Sequence, residues 1–235
     1  MKRTLILFAK APVPGKVKTR LSPVLTPEQC AELAEALIKD SAALLQRAEA
    51  EERRIAYAPV DGEPLLRQQA GPEFDYRPQS EGDLGDRMRH AFEEAFAEGS
   101  TAAVIIGSDS PAIPAEWINE ALASLADHDI VLGPTADCGY YLIGLSSSSW
   151  RQAGSLSALS ENLFNSIEWS TDKVLPVTLG RISEMHLKLH LLPPWIDLDT
   201  PDSLKFFRAH LKALELADDP SLPKDALRVL SDLGA

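Results

Sequence analysis

The chain has 235 residues, 45% hydrophobic and 25% charged, and its 23 basic against 35 acidic side chains give a net charge of −12. That composition suits a globular protein of one large domain with a substantial core. The negative surplus argues against a general nucleic-acid or membrane-surface binder, since both partners are polyanions, so any anionic ligand must be met by a local basic patch.

Cys30 and Cys138 lie far apart and form no CxxC, which predicts neither a disulfide framework nor a zinc site and fits a reducing cytoplasm. The start, MKRTLILFA, has the basic opening of a signal peptide, but its apolar run stops at Lys10, too soon for a signal core. No apolar stretch approaches the ~20 residues of a membrane span.

In chain order, Thr4 to Ala9 is a continuous apolar run, as expected for a strand buried on both faces. A basic loop follows. Thr26-Pro27-Glu28-Gln29 has the form of a capping box with proline in the first turn, and predicts a helix to about Glu51. Arg54 to Ala58 reads as a strand, Glu63 to Ala70 as a short helix, and Phe74 to Arg77 as a short strand. The loop PQSEGDLGDRM leads into a helix from about Leu84 to Ala97. Ala102 to Ile106 is the strongest buried-strand signal, and it ends abruptly in Gly107-Ser108-Asp109-Ser110-Pro111.

A helix from about Pro114 to Leu125 and strands at Ile130 to Gly133 and Tyr140 to Leu145 come next. The serines Ser146 to Ser149 read as a loop, and Ser170 is placed to cap a helix running to about Ser183. Leu187, Leu189 and Leu191 alternate with Lys188 and His190, the pattern of a half-exposed strand. Thr200-Pro201 opens another helix, and the acidic linker Asp218-Asp219-Pro220 leads into a last short one. The alternation predicts an α/β fold with a mostly parallel sheet, residues 1–217 forming a single domain and 218–235 an acidic linker with a C-terminal helix. Ligands of such sheets bind beyond the carboxyl ends of the strands, where the unusual loops fall.

The first of these, FAKAPVPGKVKTRL, holds Lys10, Lys16, Lys18 and Arg20 around the single glycine Gly15. It lacks the glycine spacing of a P-loop. A strand, a cationic loop and a helix nonetheless suit a phosphate, with Arg offering a two-pronged contact. The plainer alternative is a solvated charge cluster. Asp109, just past a buried strand, suits a hard divalent cation shared with substrate phosphates, or else caps the helix that follows. Asp137, Asp197 and Asp199 are further acidic loop residues, with turn formation and helix capping as their plain alternatives. Gly82-Asp83-Leu84-Gly85 reads as a backbone turn opening a helix. His186 and His190 would share one face of a strand without a third ligand, and Cys30 reads as core.

FAKAPVPGKVKTRL, QSEGDLGDRM, IIGSDSP, GPTADCGYYLIGL, WSTDKVL and DLDTPDSL, in this order, resemble a bacterial family of small GT-A-type transferases. That family is described as glycosyltransferase-like and linked by name to arsenosugar biosynthesis. The resemblance spans about residues 3 to 210. It implies the nucleotide-diphospho-sugar transferase fold, a Rossmann-like three-layer α/β sandwich. A more distant likeness is to nucleotidyltransferases of that fold, such as phospholactate and molybdenum-cofactor guanylyltransferases. Carried over, Lys10, Lys18 and Arg20 would hold nucleotide phosphates, with Thr19-Arg20-Leu21 matching a T-R-[LM] ending. Gln79, Gly82 and Gly85 would lie near the nucleobase. Asp109 would bind Mg²⁺ or Mn²⁺ with Asp199 or Asp197, and Asp137 would face the acceptor or sugar. Cys138 departs from a usual glycine, and its side chain would narrow the acceptor pocket or mark drift from catalysis.

Three activities follow as expectations. The first is glycosyl transfer from a nucleotide sugar to a small acceptor, with Asp109 and Asp137 at the reacting centre. The second is nucleotidyl transfer from an NTP to a phosphorylated small molecule, which the number of cations favours. The third is a nucleotide- or sugar-binding module without turnover. All three place the protein in the cytoplasm, with no nucleic-acid or membrane partner.

Overall fold

The computed structural model describes residues 2–152 and 162–233. The apolar run after the N-terminus is β1 (Arg3–Lys10), and the run before Gly107 is β4 (Ala102–Gly107). They pair in parallel at the centre of a sheet completed by β2 (Glu52–Ala58), β3 (Asp75–Pro78), β5 (Ile130–Pro134), β6 (Tyr140–Ser146) and β7 (Leu189–Leu191). The order is β3-β2-β1-β4-β6-β5-β7. Only β6 is antiparallel to its neighbours, β4 and β5, so the other strands all point one way.

Side chains alternate across the sheet and face two helical layers. Leu5, Leu7, Ile55, Val104 and Val131 pack on α1 (Pro27–Arg47), α2 (Glu63–Ala70) and α4 (Ala115–Ser124). Ile6, Ala103, Ile105, Leu132 and Ile143 pack on α3 (Leu84–Ala97) and α6 (Val174–Glu184). The expected three-layer α/β sandwich is thus the observed one.

Local signals account for most boundaries. Thr26 and Gln29 form the reciprocal capping box of α1, and Thr200 and Ser203 form one for α7 (Pro201–Leu216). Helix α1 stops at Arg47, short of the expected Glu51. The Arg53 guanidinium takes the carbonyls of Leu45 (2.7 Å) and Ala48 (2.6 Å), so β2 begins where helix propensity alone would continue. The serine run is not a loop. The Ser146 hydroxyl accepts the Ser149 amide at 3.3 Å and starts α5 (Ser147–Gln152). Ser170 caps nothing: its φ of 63° is left-handed, and α6 begins only at Val174. His186, at φ 53°, sits in the turn after α6, so it does not share a strand face with His190, whose Nε2 lies 2.8 Å from Glu120.

The last helix, α8 (Lys224–Asp232), lays Ala226, Val229 and Leu230 against Leu33, Leu37 and Leu211 of α1 and α7. Residues 234 and 235 of the expected C-terminal segment lie outside the described residues. The buried Asp40 of α1 caps α8 from across the interface, accepting from the amides of Asp225 (3.1 Å) and Ala226 (2.8 Å). Burial pushes its carboxyl from 3.8 up to about 6, against the pull of those amides. An acid raised on folding holds its proton longer in the folded state, so its contribution to stability falls as pH rises from about 4 to about 6. Relative to wild type, Asp40→Asn is therefore expected to gain up to about 3 kcal/mol as pH goes from 4 to 7. Denaturant unfolding at the two pH values checks this; an unchanged difference would contradict it.

Candidate functional site

Because all strands but β6 share a direction, the loops after β1, β4, β5 and β7 emerge on one edge. The chain leaves β1 toward β2 on one side and returns to β4 on the other, which opens a crevice between the carboxyl ends of β1 and β4. A cavity of about 810 Å³ occupies this edge.

The basic loop forms one side of it. Lys10, Lys16, Lys18 and Arg20 all line the cavity. Lys10 and Lys16 are exposed and form no ion pair among the described residues. Leu21, fully buried against Leu25, Leu33 and Leu198, pins the turn Thr19–Leu21 that carries Arg20. Lys18 is left-handed at φ 49°, and its side chain is only 4% exposed. Its Nζ lies 2.7 Å from Asp109 Oδ1 and 3.9 Å from Asp199 Oδ1, and donates to the Leu198 carbonyl. Arg20 Nη1 meets the other Asp199 oxygen at 3.2 Å.

The acidic residues come from three further loops. Asp109 follows β4. Asp197 and Asp199 flank the buried Leu198, whose amide donates to the Asp109 carbonyl at 3.3 Å. Asp137 follows β5, and its Oδ1 accepts from Thr135 Oγ1 (2.5 Å) and the Gly139 amide (3.2 Å). Asp197 accepts from Ser110 Oγ at 2.5 Å. Burial pushes its carboxyl up to about 6; the Ser110 bond opposes the rise, while the charges of Asp109 and Asp137 add to it. Burial likewise raises Asp199, with Lys18 opposing.

Asp109 and Asp199 are hard oxygen donors on one cavity wall, 43% and 36% exposed. Among the described residues no three His, Cys, Asp or Glu gather closely enough to hold a metal by themselves. The pair fits a cation that completes its shell with phosphate oxygens and water, as Mg²⁺ does, provided the Lys18 ammonium makes room.

The cavity thus gathers Lys10, Lys16, Lys18, Arg20, Gln79, Asp109, Asp137, Asp197 and Asp199, and leaves Gly15, Gly82 and Gly85 out of its lining. The Gln79 amide is turned inward, donating to the Ala56 carbonyl at 2.8 Å and accepting from Arg87 at 3.4 Å. Cys138 does not line the cavity either, so it does not narrow it. Its φ of 66° is the left-handed conformation that glycine adopts without strain, which gives a backbone reason for glycine there. Trp169, Ser170, Thr171 and Asp172, of which no site role was expected, form another part of the wall. They lie in the WSTDKVL motif, where the expected Ser170 cap obscured an irregular segment. The Trp169 Nε1 is buried with no hydrogen-bond partner among the described residues.

A cavity at the β1/β4 switch point, beneath a basic loop and with aspartates after β4 and β7, belongs to the nucleotide-diphospho-sugar transferase fold. A structure from Desulfovibrio desulfuricans G20, provisionally named a nucleotide-diphospho-sugar transferase, is 31% identical, covering 99% of this chain and 97% of its own, with a TM-score of 0.86. Over residues 41–171 the chain matches the family described as "Uncharacterized protein conserved in bacteria (DUF2064)", and it belongs to that family. CMP:2-keto-3-deoxy-manno-octonic acid synthetase, solved with CTP, is 12% identical over 91% of this chain and 99% of its own (TM-score 0.58). Rv0371c of Mycobacterium tuberculosis H37Rv, solved with manganese, is 13% identical over 88% and 97% (TM-score 0.55). At those identities the likeness is one of fold. No curated protein gave a match.

Gly85 has a packing reason. A Cβ there would lie 2.7 Å from the Phe164 carbonyl oxygen and 2.8 Å from the Trp169 ring. Gly→Ala in an ordinary helix gains up to about 1 kcal/mol. Here overpacking of about 1–3 kcal/mol outweighs it. Gly85→Ala is expected to lower stability and to alter the near-ultraviolet circular dichroism as Trp169 moves; a more stable protein with an unchanged spectrum would refute the contact.

Proposed function

We propose that the protein is a metal-assisted glycosyltransferase that moves a sugar from a nucleotide-sugar donor to a small, unphosphorylated acceptor. One observation carries this reading: the cavity draws its cations and its aspartates from different loops, and among the described residues the two sets form ion pairs only where Lys18 and Arg20 meet Asp109 and Asp199. Its lining cations, Lys10, Lys16, Lys18, Arg20 and Arg87, all precede β4 in the chain. Among the described residues its lining after β4 includes Asp109, Asp137, Asp172, Asp197 and Asp199 and no lysine or arginine. A diphosphate belongs on the basic loop, where Lys10 and Lys16 are exposed and outside any ion pair among the described residues. An acceptor beside the aspartates would meet carboxylates, which suits hydroxyls and repels phosphate.

Lys10, Lys16 and the outward donors of Arg20 bind the diphosphate oxygens. Asp109 and Asp199 hold Mg²⁺ or Mn²⁺, which when bound neutralises charge developing on the leaving diphosphate. Asp137, whose Oδ2 makes no hydrogen bond among the described residues, takes the proton of the acceptor hydroxyl. Manganese and CTP in structures of the same fold support a cation and a nucleotide here.

Nucleotidyl transfer is the second reading, favoured by the Thr19-Arg20-Leu21 turn. Its case from the number of cations weakens, because Lys18 is engaged by Asp109. A thermal-shift screen of nucleotide sugars and NTPs with and without Mn²⁺ tests both, since stabilisation grows with ligand over Kd. We expect Mn²⁺-dependent shifts with a nucleotide sugar and release of a nucleoside diphosphate on turnover. Asp109→Asn should lower turnover by about a hundredfold or more. Release of pyrophosphate would replace the first reading by the second. A shift without turnover or metal dependence would leave a binding module, and no shift with any nucleotide would remove both enzyme readings.

A further inference from the structure

We propose that the Lys18 ammonium and a divalent cation are mutually exclusive occupants of the gap between Asp109 and Asp199, so that Lys18 sets how tightly the ligand-free protein takes metal. This rests on the proposed function in one respect, that Asp109 and Asp199 are the metal-holding pair.

The Lys18 Nζ lies 2.7 Å from one carboxylate and 3.9 Å from the other. A divalent cation held by Asp109 and Asp199 would compete with the ammonium for that place. Lys18 is well held there. Its ammonium meets Asp109 at hydrogen-bond distance and donates to the Leu198 carbonyl, with Asp199 a longer-range charge partner. Its backbone is fixed separately, the carbonyl accepting from the Leu21 amide at 2.9 Å and from Cys30 Sγ at 3.4 Å. The head can therefore leave by rotation of its four-carbon stem, with no movement of the loop. Lys18 already lines the cavity. Once released, its charge adds to those of Lys10 and Lys16 on the diphosphate. Metal entry and phosphate binding then reinforce each other, because each draws on the exchange that the other favours.

Charge sets the direction of the test. A monovalent ammonium within contact distance of the pair opposes a divalent ion by far more than the carboxylates lose in orientation when it is removed. Mn²⁺ binding to the nucleotide-free protein is measured by the electron paramagnetic resonance signal of free Mn²⁺, for wild type, Lys18→Met and Asp109→Asn. Lys18→Met is expected to tighten binding by roughly tenfold or more, and Asp109→Asn to weaken it. Lys18→Met binding that is unchanged or weaker, with Asp109→Asn still weakening, overturns the exchange and leaves the proposed metal pair standing. If Asp109→Asn has no effect, or no form binds Mn²⁺, the metal pair falls and the exchange with it. A second measurement needs no variant. Acylation of Lys18 in wild type, followed by peptide mass spectrometry, should rise severalfold when Mn²⁺ is added at saturation, because the ammonium leaves its buried site. Labelling that stays constant at saturation overturns the proposal.

Discussion

Burial holds the Asp197 and Asp199 carboxyls back from ionising, the Asp109 charge adds to this, and the Lys18 ammonium opposes it. The ion cluster also fixes the chain. Lys18 and Leu198, 180 positions apart, are joined directly, and the Leu198 amide returns to the Asp109 carbonyl. One contact thus ties the loop after β1, the loop after β4 and the segment after β7.

The sheet makes that meeting unavoidable. Had β6 been parallel, it would have needed a crossover and its neighbouring loops would have been longer. As an antiparallel strand it follows β5 through the short loop that carries Asp137, and Asp137 opens onto the same edge as Asp109. The return of β7 to the parallel direction then delivers Asp197 and Asp199 to that edge as well. The apolar runs of β1 and β4 hold the crevice open from beneath, because both are buried on two faces and cannot shift without exposing Leu5, Leu7, Val104 or Ile105.

Much of this could be read from residue order. Unbroken apolar runs, the Thr26 and Thr200 boxes and the loops at strand ends were enough for the sandwich and for the edge that carries the site. What could not be read depended on partners far away in sequence. The Arg53 side chain ends α1, and no local signal announces it. Ser146 turns a serine run into a helix by taking one amide, whereas Ser170, in a similar setting, is left-handed and caps nothing. The four cations of the basic loop look alike in the sequence. Only packing separates Lys10 and Lys16, open to the cavity, from Lys18, buried on Asp109. Gly85 read as a flexible turn, yet its role is to let the Trp169 ring and the Phe164 carbonyl approach.

The presence of lysine and not glycine at position 18 of the basic loop has a physical explanation. Residue 18 is left-handed, a conformation that glycine adopts freely and that costs another residue about 1–2 kcal/mol. Glycine there would remove that strain and would also remove the counter-ion from three carboxylates. Lys18 is buried but Asp109 is 43% exposed, so solvent screens the pair and its loss costs less than that of a fully buried one. Lysine at this position therefore carries the backbone strain in order to supply charge between Asp109 and Asp199. The loop occupies the place of a glycine-rich phosphate cradle, but it positions charge through side chains and not through backbone amides. Such a loop can exchange its cation, which a cradle of fixed amides cannot.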